Sequence, residues 1–156
     1  MRIIVFSDSH GDISRAMEIL DREEYDLVIH LGDYSEDGRL IREKIDRPVY
    51  QVRGNCDYYD LDTDLEQVLV LAGKKFFLSH GHDYGVKHNY NRIFYRGLEL
   101  GADIVLFGHS HRPLILRDKI ILFNPGSISL PQPGEAASYG LIRIEDGQVE
   151  LEIKNF

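Results

Sequence analysis

Five short motifs hold the residues best suited to chemistry: Asp8-Ser9-His10, Gly32-Asp33, Gly54-Asn55, His80-Gly81-His82 and Gly108-His109-Ser110-His111. Each stands at the end of an apolar run. Seven of their side chains, Asp8, His10, Asp33, Asn55, His80, His109 and His111, offer oxygen or nitrogen donors. Carboxylate, carboxamide and imidazole suit borderline-to-hard divalent ions such as Mn, Fe, Ni or Zn. Seven donors are too many for one four-coordinate ion, so the set predicts two ions sharing a carboxylate. Pairs of this kind commonly cleave phosphate esters. The only cysteine, Cys56, excludes both an intrachain disulfide and a thiolate-cluster zinc site.

Spacing predicts that these side chains converge. Asp8 and His10, like His109 and His111, are two residues apart, and extended backbone turns such pairs to the same side. The glycines at 32, 54 and 108 let the chain leave its strand sharply and bring backbone close to a ligand. Binding crevices in open α/β sheets lie at the carboxyl ends of strands, where all five motifs fall.

The elements that must carry these motifs follow from apolar periodicity. Strands are expected over 2–6, 26–31 and 49–52, with helices over 12–21 and 35–45, the first capped by Asp12 or Ser14. This β-α-β-α-β order implies parallel strands with right-handed crossovers. Hairpins follow at 66–71 with 75–78, at 114–116 with 120–123, and at 139–144 with 149–153. A helix over 84–100 and a strand over 104–107 complete the pattern. Two mixed sheets packed together, with helices outside, are the expected result. Segments 57–66 and 131–137 read as surface loops.

A chain of 156 residues fits one domain spanning 1–156. Its net charge of −8, without Lys/Arg clusters, argues against stable nucleic-acid binding. No apolar stretch is long enough to span a membrane. The first apolar run leads straight into Asp8 and His10, so it reads as a strand and not as a signal peptide. With the lone cysteine, this points to a cytoplasmic protein.

The ordered motifs D-x-H, G-D, G-N, G-H and G-H-x-H, from Asp8 to His111, resemble the calcineurin-like metallophosphoesterase superfamily. Chain length, Gly54-Asn55-Cys56-Asp57 and Asn124-Pro125-Gly126-Ser127 resemble its small YfcE-like phosphodiesterase group. The resemblance implies an α/β fold, a four-layer α/β/β/α sandwich of two mixed β-sheets flanked by helices. It implies two divalent metal ions per chain, Mn first, with Ni, Fe, Co or Zn as alternatives. Asp8, His10, Asp33 and His111 would hold one ion; Asp33, Asn55, His80 and His109 would hold the other. Asp33, Asn55, His80 and His109 are thereby also the catalytic set, and a metal-bound hydroxide is the implied nucleophile. A small phosphoester, most simply a diester, is the implied substrate. Many members place a histidine after the G-N motif, where it protonates the leaving group; this chain has Cys56, as the YfcE-like group does. Loss of such an acid costs about 10²–10⁴-fold when the leaving group is poor. Diesters with acidic leaving groups are therefore the expected substrates.

Other residues carry two readings each. Cys56, Asp57 and His82 are candidates for contact with substrate or with the metal-binding side chains. His82 serves a structural hydrogen bond equally well, and Asp57 is expected to steady the Asn55 loop. His30 reads as core and His88 as exposed. Asn124 to Ser127 reads as a tight turn before a site lining. Tyr58 and Tyr59 read as loop packing before stacking on a nucleotide or aryl group. Tyr84, Tyr90, Phe94 and Tyr95 read as helix packing or as a homodimer surface. Two competing functions are a non-catalytic interaction scaffold, as in the related eukaryotic retromer subunit, and a nuclease.

Overall fold

The computed structural model describes all 156 residues. The strands are β1 (Arg2–Phe6), β2 (Leu27–His30), β3 (Val49–Gln51), β4 (Glu66–Leu71), β5 (Lys74–Ser79), β6 (Ile104–Leu106), β7 (Leu114–Arg117), β8 (Ile121–Asn124), β9 (Ser138–Glu145) and β10 (Gln148–Asn155). The helices are α1 (Ser14–Arg22), α2 (Ser35–Lys44) and α3 (Asn91–Glu99), with a short 3₁₀ turn at His82–Tyr84. One sheet has the order β10-β9-β1-β2-β3 and the other β4-β5-β6-β8-β7. β1, β2 and β3 run parallel, with Phe6 opposite His30 and His30 opposite Gln51. β5, β6 and β8 are parallel in the second sheet, while β4 and β7 flank it antiparallel.

Strand parity builds the layers. Ile3 and Val5 of β1 and Ile29 of β2 face Phe76, Leu78, Ile104, Leu106 and Phe123 of the other sheet. Ile4, Phe6 and Val28 point the opposite way and pack on Ala16, Ile19 and Leu20 of α1 and Ile41 of α2. Phe77, Val105 and Leu122 turn outward from the second sheet onto Ile93 of α3. Successive side chains alternate sides of a strand, so strands apolar at every position must be covered on both faces. The result is helix, sheet, sheet, helix: the expected four-layer sandwich. No helix is long and apolar enough to cross a membrane.

Two helix starts differ from the sequence expectation. The helix expected over 84–100 begins only at Asn91. Gly85, at φ +63, ends the preceding 3₁₀ turn, and the Asn89 side chain accepts the Asn91 amide. Apolar spacing continues across that break because Tyr84, Val86 and Tyr90 pack on the same face as α3. At α1, neither Asp12 nor Ser14 caps; Ile13 occupies the cap position. Asp12 instead accepts the Ser14 amide and hydroxyl, closing a local turn before the helix. Tyr84, Tyr90 and Phe94 pack against the core as expected, whereas Tyr95 is exposed.

Candidate metal centre

All five motifs emerge where β1, β2, β3, β5 and β6 end, on one edge of the sandwich. Their donors form two groups that share Asp33. Asp8, His10, Asp33 and His111 have ligand atoms within 4.8 Å of one another, and so do Asp33, His80 and His109. His10 Nε2 and His111 Nε2 lie 3.5 Å apart, and His109 Nδ1 lies 3.2 Å from His80 Nε2. Asn55 is exposed at the rim, with Cys56 Sγ 3.7 Å from its amide nitrogen. Its neighbours tie it to the centre. The Cys56 amide donates to Asp33 Oδ1 at 3.0 Å, and Gly54 packs on the same carboxylate.

Convergence comes from a backbone the spacing argument did not anticipate. Asp8, His10, His109 and His111 are not extended; their φ values are +55, +50, +62 and +55. Asp33, at +54, and Tyr34, at +76, share this left-handed geometry. Aspartate and histidine tolerate the region better than branched residues, but each position still costs about 1–3 kcal/mol. Five of the eight non-glycine residues with positive φ are donors of this centre, so the strain is concentrated where the donors are aimed. Two glycines serve close approach. A Cβ at Gly54 would meet Asp33 Oδ1 at 2.1 Å, and one at Gly108 would meet Ser7 Oγ at 1.8 Å.

Surrounding hydrogen bonds fix which atoms face the centre. His80 Nδ1 donates to the Leu31 carbonyl at 2.7 Å, and His111 Nδ1 donates to the Leu130 carbonyl at 2.5 Å. Both rings therefore turn Nε2 inward, toward the carboxylates. Asp8 Oδ2 accepts from Ser7 Oγ at 2.5 Å and the His109 amide at 3.1 Å. Its Oδ1 is buried without a hydrogen-bond donor. It lies 3.0 Å from His111 Nε2 and 3.9 Å from His80 Nε2. Asp33 Oδ1 lies 3.3 Å from His80 Nε2. Two buried carboxylates crowded among imidazole nitrogens need positive charge between them, which protons on the rings or bound cations supply. The donor set fits divalent metal ions on that ground.

Titration reflects the same crowding: the carboxylates stay ionised, while Asp8 draws His111 and the two carboxylates draw His80 toward the protonated form. Burial alone would raise the Asp33 carboxyl, but His80 and the Cys56 amide hold it well below the usual range. Burial likewise opposes ionisation of Asp8, and His111, His80 and Ser7 overcome it. Burial, His80 and Lys87 push His109 down to about 4, leaving it neutral with a free lone pair at pH 7. His80 is raised despite its burial, because the Asp33 and Asp8 carboxylates attract positive charge.

The remaining candidates resolve individually. Asp57 is buried and steadies the Asn55 loop, accepting the Gly54 and Ser35 amides at 2.7 Å each. Cys56 is exposed at the rim. Desolvation of its sulfur in the cleft and the nearby Asp33 push the thiol up to about 11. His82 opens the 3₁₀ segment after Gly81, at φ +100, and its ring stands 6.1 Å from that of His109. Its ring lies 5.5 Å from that of His80 and lines an adjoining cavity. His30 is buried as expected: it accepts the Gly32 amide on Nδ1 and donates from Nε2 to Ser9 Oγ at 2.8 Å. His88 is exposed. Tyr58 and Tyr59 do not pack into their loop; they are 77% and 93% exposed.

The Asn124 to Ser127 segment is both the expected turn and a lining of the donor loops, through contacts its motif did not reveal. Ser127 Oγ donates to the Asp8 carbonyl at 2.8 Å, and Ser129 Oγ to the Ser9 carbonyl at 2.7 Å. Asn124 Nδ2 donates to the Gly108 carbonyl at 2.8 Å and to Ser110 Oγ at 3.0 Å. The Asn124–Ser127 turn is thus a brace that joins the first and last donor loops. Tyr34 stands edge-on to His10, with ring centres 5.4 Å apart. The one signal for the brace was its turn-forming composition, which does not name its distant partners.

Comparison with known proteins identifies the family and the fold. Residues 1–147 match the calcineurin-like phosphoesterase superfamily domain. The chain is 37% identical over 150 residues to the probable metallophosphoesterase YsnB of Bacillus subtilis, covering 94% of this chain and 86% of that one. It is 28% identical over 172 residues to the phosphodiesterase YfcE of Escherichia coli, covering 91% and 87%. A predicted phosphoesterase from Streptococcus pneumoniae superposes with a TM-score of 0.83 at 33% identity, covering 99% and 88%. A Vps29 variant from Entamoeba histolytica superposes at 0.80 with 22% identity, covering 100% and 99%, a likeness of fold alone. The chain belongs to the calcineurin-like phosphoesterase superfamily.

Proposed function

We propose that this protein is a metal-dependent phosphodiesterase, acting as one domain over residues 1–156. The observation that carries the proposal is the pair of donor groups joined at Asp33. In this reading Asp8, His10, Asp33 and His111 hold one divalent ion. Asp33, Asn55, His80 and His109 hold a second, with Mn²⁺ the first candidate. When bound, two such ions lower the pKa of water, polarise phosphoryl oxygens and offset developing charge.

The chain's own residues supply orientation. Leu31 and Leu130 fix the His80 and His111 rings through their carbonyls. Such partners set the tautomer and raise ligand basicity. Asp57 holds the Gly54 turn that presents Asn55. Cys56, with its thiol pushed up to about 11, is a poor proton donor at neutral pH. The leaving group must then depart largely as an anion, which favours diesters of acidic alcohols such as phenols. The similarity to YfcE, a phosphodiesterase, supports the diester assignment. A purely structural scaffold would have no use for a buried carboxylate crowded against two imidazole nitrogens or for donors held at strained φ.

The test is a metal panel. Protein stripped with chelator and reloaded with Mn²⁺, Ni²⁺, Fe²⁺, Co²⁺ or Zn²⁺ is assayed with bis(p-nitrophenyl) phosphate. Turnover with at least one metal is expected. Asp33→Asn should reduce it by more than the roughly 10–100-fold typical of losing an outer hydrogen-bond partner. No turnover with any metal, in folded protein, would refute the reading.

A further inference from the structure

The loop between Arg53 and Leu65 holds large apolar side chains in solvent. Tyr58 is 77% exposed, Tyr59 93%, Leu61 80% and Leu65 38%. Slack loops expose such groups, but this loop is tied at many points. Asp57 accepts the Gly54 and Ser35 amides. Asp60 accepts the Ser35 hydroxyl, the Thr63 amide and the Arg39 guanidinium. The Arg53 amide donates to the Asp64 carbonyl at 2.9 Å, and Arg53 Nη1 to the Asp60 carbonyl at 2.6 Å. The exposure is therefore built in. A contiguous apolar patch on a held surface usually marks a binding site.

These four side chains, with Arg53 and His82, line a cavity of about 640 Å³. That volume lies within the roughly 300–1,000 Å³ of small-molecule sites. Asn55 and Asp57 line the same cavity, so it continues directly from the candidate metal centre. The two tyrosine rings meet edge to face, with centres 5.2 Å apart and planes at 89°. Such a pair leaves a ring face free to receive a flat guest. Acidic neighbours Asp60, Asp62 and Asp64, on a chain of net charge −8, disfavour a further anionic group there and permit a neutral ring. Arg53 Nε is buried without a partner and adds a cation at the cavity wall.

We propose that this cavity is a substrate subsite for a planar aromatic group esterified to the phosphate, with Tyr58 and Tyr59 as specificity-determining residues. The proposal rests on the phosphoesterase reading and names its substrate class: aryl or nucleoside phosphoesters in preference to alkyl ones. The shared chemistry is a flat π surface within one loop's reach of the phosphate. The rings act by stacking and not through their hydroxyls.

Binding tests it separately from turnover. Calorimetry on Zn²⁺-loaded protein compares phenylphosphonate with methylphosphonate, and adenosine 5′-monophosphate with ribose 5-phosphate. The first pair reads a simple aryl ring and the second a nucleobase. At least one aromatic ligand should bind about fivefold or more tighter than its partner, the lower end of a stacking contribution. The preference should vanish in Tyr58→Ala/Tyr59→Ala and persist in Tyr58→Phe/Tyr59→Phe. With bis(p-nitrophenyl) phosphate, the alanine pair should act on KM far more than on kcat. Equal affinity within both pairs, or a preference that survives the alanine pair, would overturn the subsite while leaving the phosphoesterase reading intact. Failure of every phosphonate and phosphate to bind, together with no turnover, would overturn both.

Discussion

Asp57→Asn separates the centre's scaffolding from its donors. The wild-type carboxylate is buried and accepts two amides, Ser35 on Oδ1 and Gly54 on Oδ2, each at 2.7 Å. Asparagine keeps one acceptor and presents its NH₂ to the other amide. A hydrogen bond to a charged group is worth about 1.5–3 kcal/mol, and an unsatisfied buried donor costs about 1–3 kcal/mol. These effects overlap, because both describe the same lost contact, so a total near 3 kcal/mol is expected. For a chain of this size that corresponds to a fall in Tm of about 6–12 °C. The Gly54 turn also presents Asn55 and sets the Cys56 amide on Asp33. Metal affinity should therefore weaken by about 10–100-fold, the usual effect of losing an orienting partner. Urea denaturation of the metal-free variant measures the first quantity, and calorimetric titration with Mn²⁺ the second. A stability change within about 0.5 kcal/mol, the scatter of neutral surface substitutions, would refute the reasoning if metal affinity were also unchanged.

Gly54→Ala should abolish tight metal binding, since the new methyl would sit 2.6 Å from the Asp33 amide nitrogen and closer still to its carboxylate. Thermal melts with and without Mn²⁺ should show a lower Tm and no stabilisation by the ion. Asp60 is nearly buried, and although burial raises its pKa, Ser35, Thr63 and Arg39 bring it down to about 2. Because the folded value lies below the unfolded one, its contribution is present above about pH 4 and is lost as pH falls toward 2. At about 1.4 kcal/mol per unit, wild type should exceed Asp60→Asn by about 2 kcal/mol at pH 7. Denaturation curves should converge near pH 2, and a gap independent of pH would contradict the assignment. Cys56→Ser should leave kcat/KM on bis(p-nitrophenyl) phosphate within about threefold, far from the 10²–10⁴ of a lost general acid. A fall of that size would give the thiol a catalytic part.

Much of this organisation was legible in the sequence. Donor positions could be read because each motif closes an apolar strand, and strand ends of an α/β sandwich meet along one edge. The layers followed from runs such as Ile3 to Phe6, which need cover on both faces. What escaped depends on backbone angle and long-range contact. Residue type permits a left-handed Asp8 or His111 but does not require it, so extended alternation was the natural and incorrect expectation. The break before α3 was masked because Tyr84, Val86 and Tyr90 keep the apolar face of the following helix. Ser127 reaches Asp8 across 119 residues of sequence, and only the folded chain shows that contact. Tyr58 and Tyr59 have the composition of packed loop aromatics; their exposure follows from the ties at Asp57 and Asp60 beneath them.

Crystals of the Mn²⁺-loaded protein, measured at the manganese absorption edge, would locate the ions from anomalous difference density. Two peaks about 3.5–4 Å apart are expected on either side of the Asp33 carboxylate. One should lie among Asp8, His10 and His111, the other among Asn55, His80 and His109. A single peak at full loading, or two peaks that do not share Asp33, would contradict the dinuclear assignment.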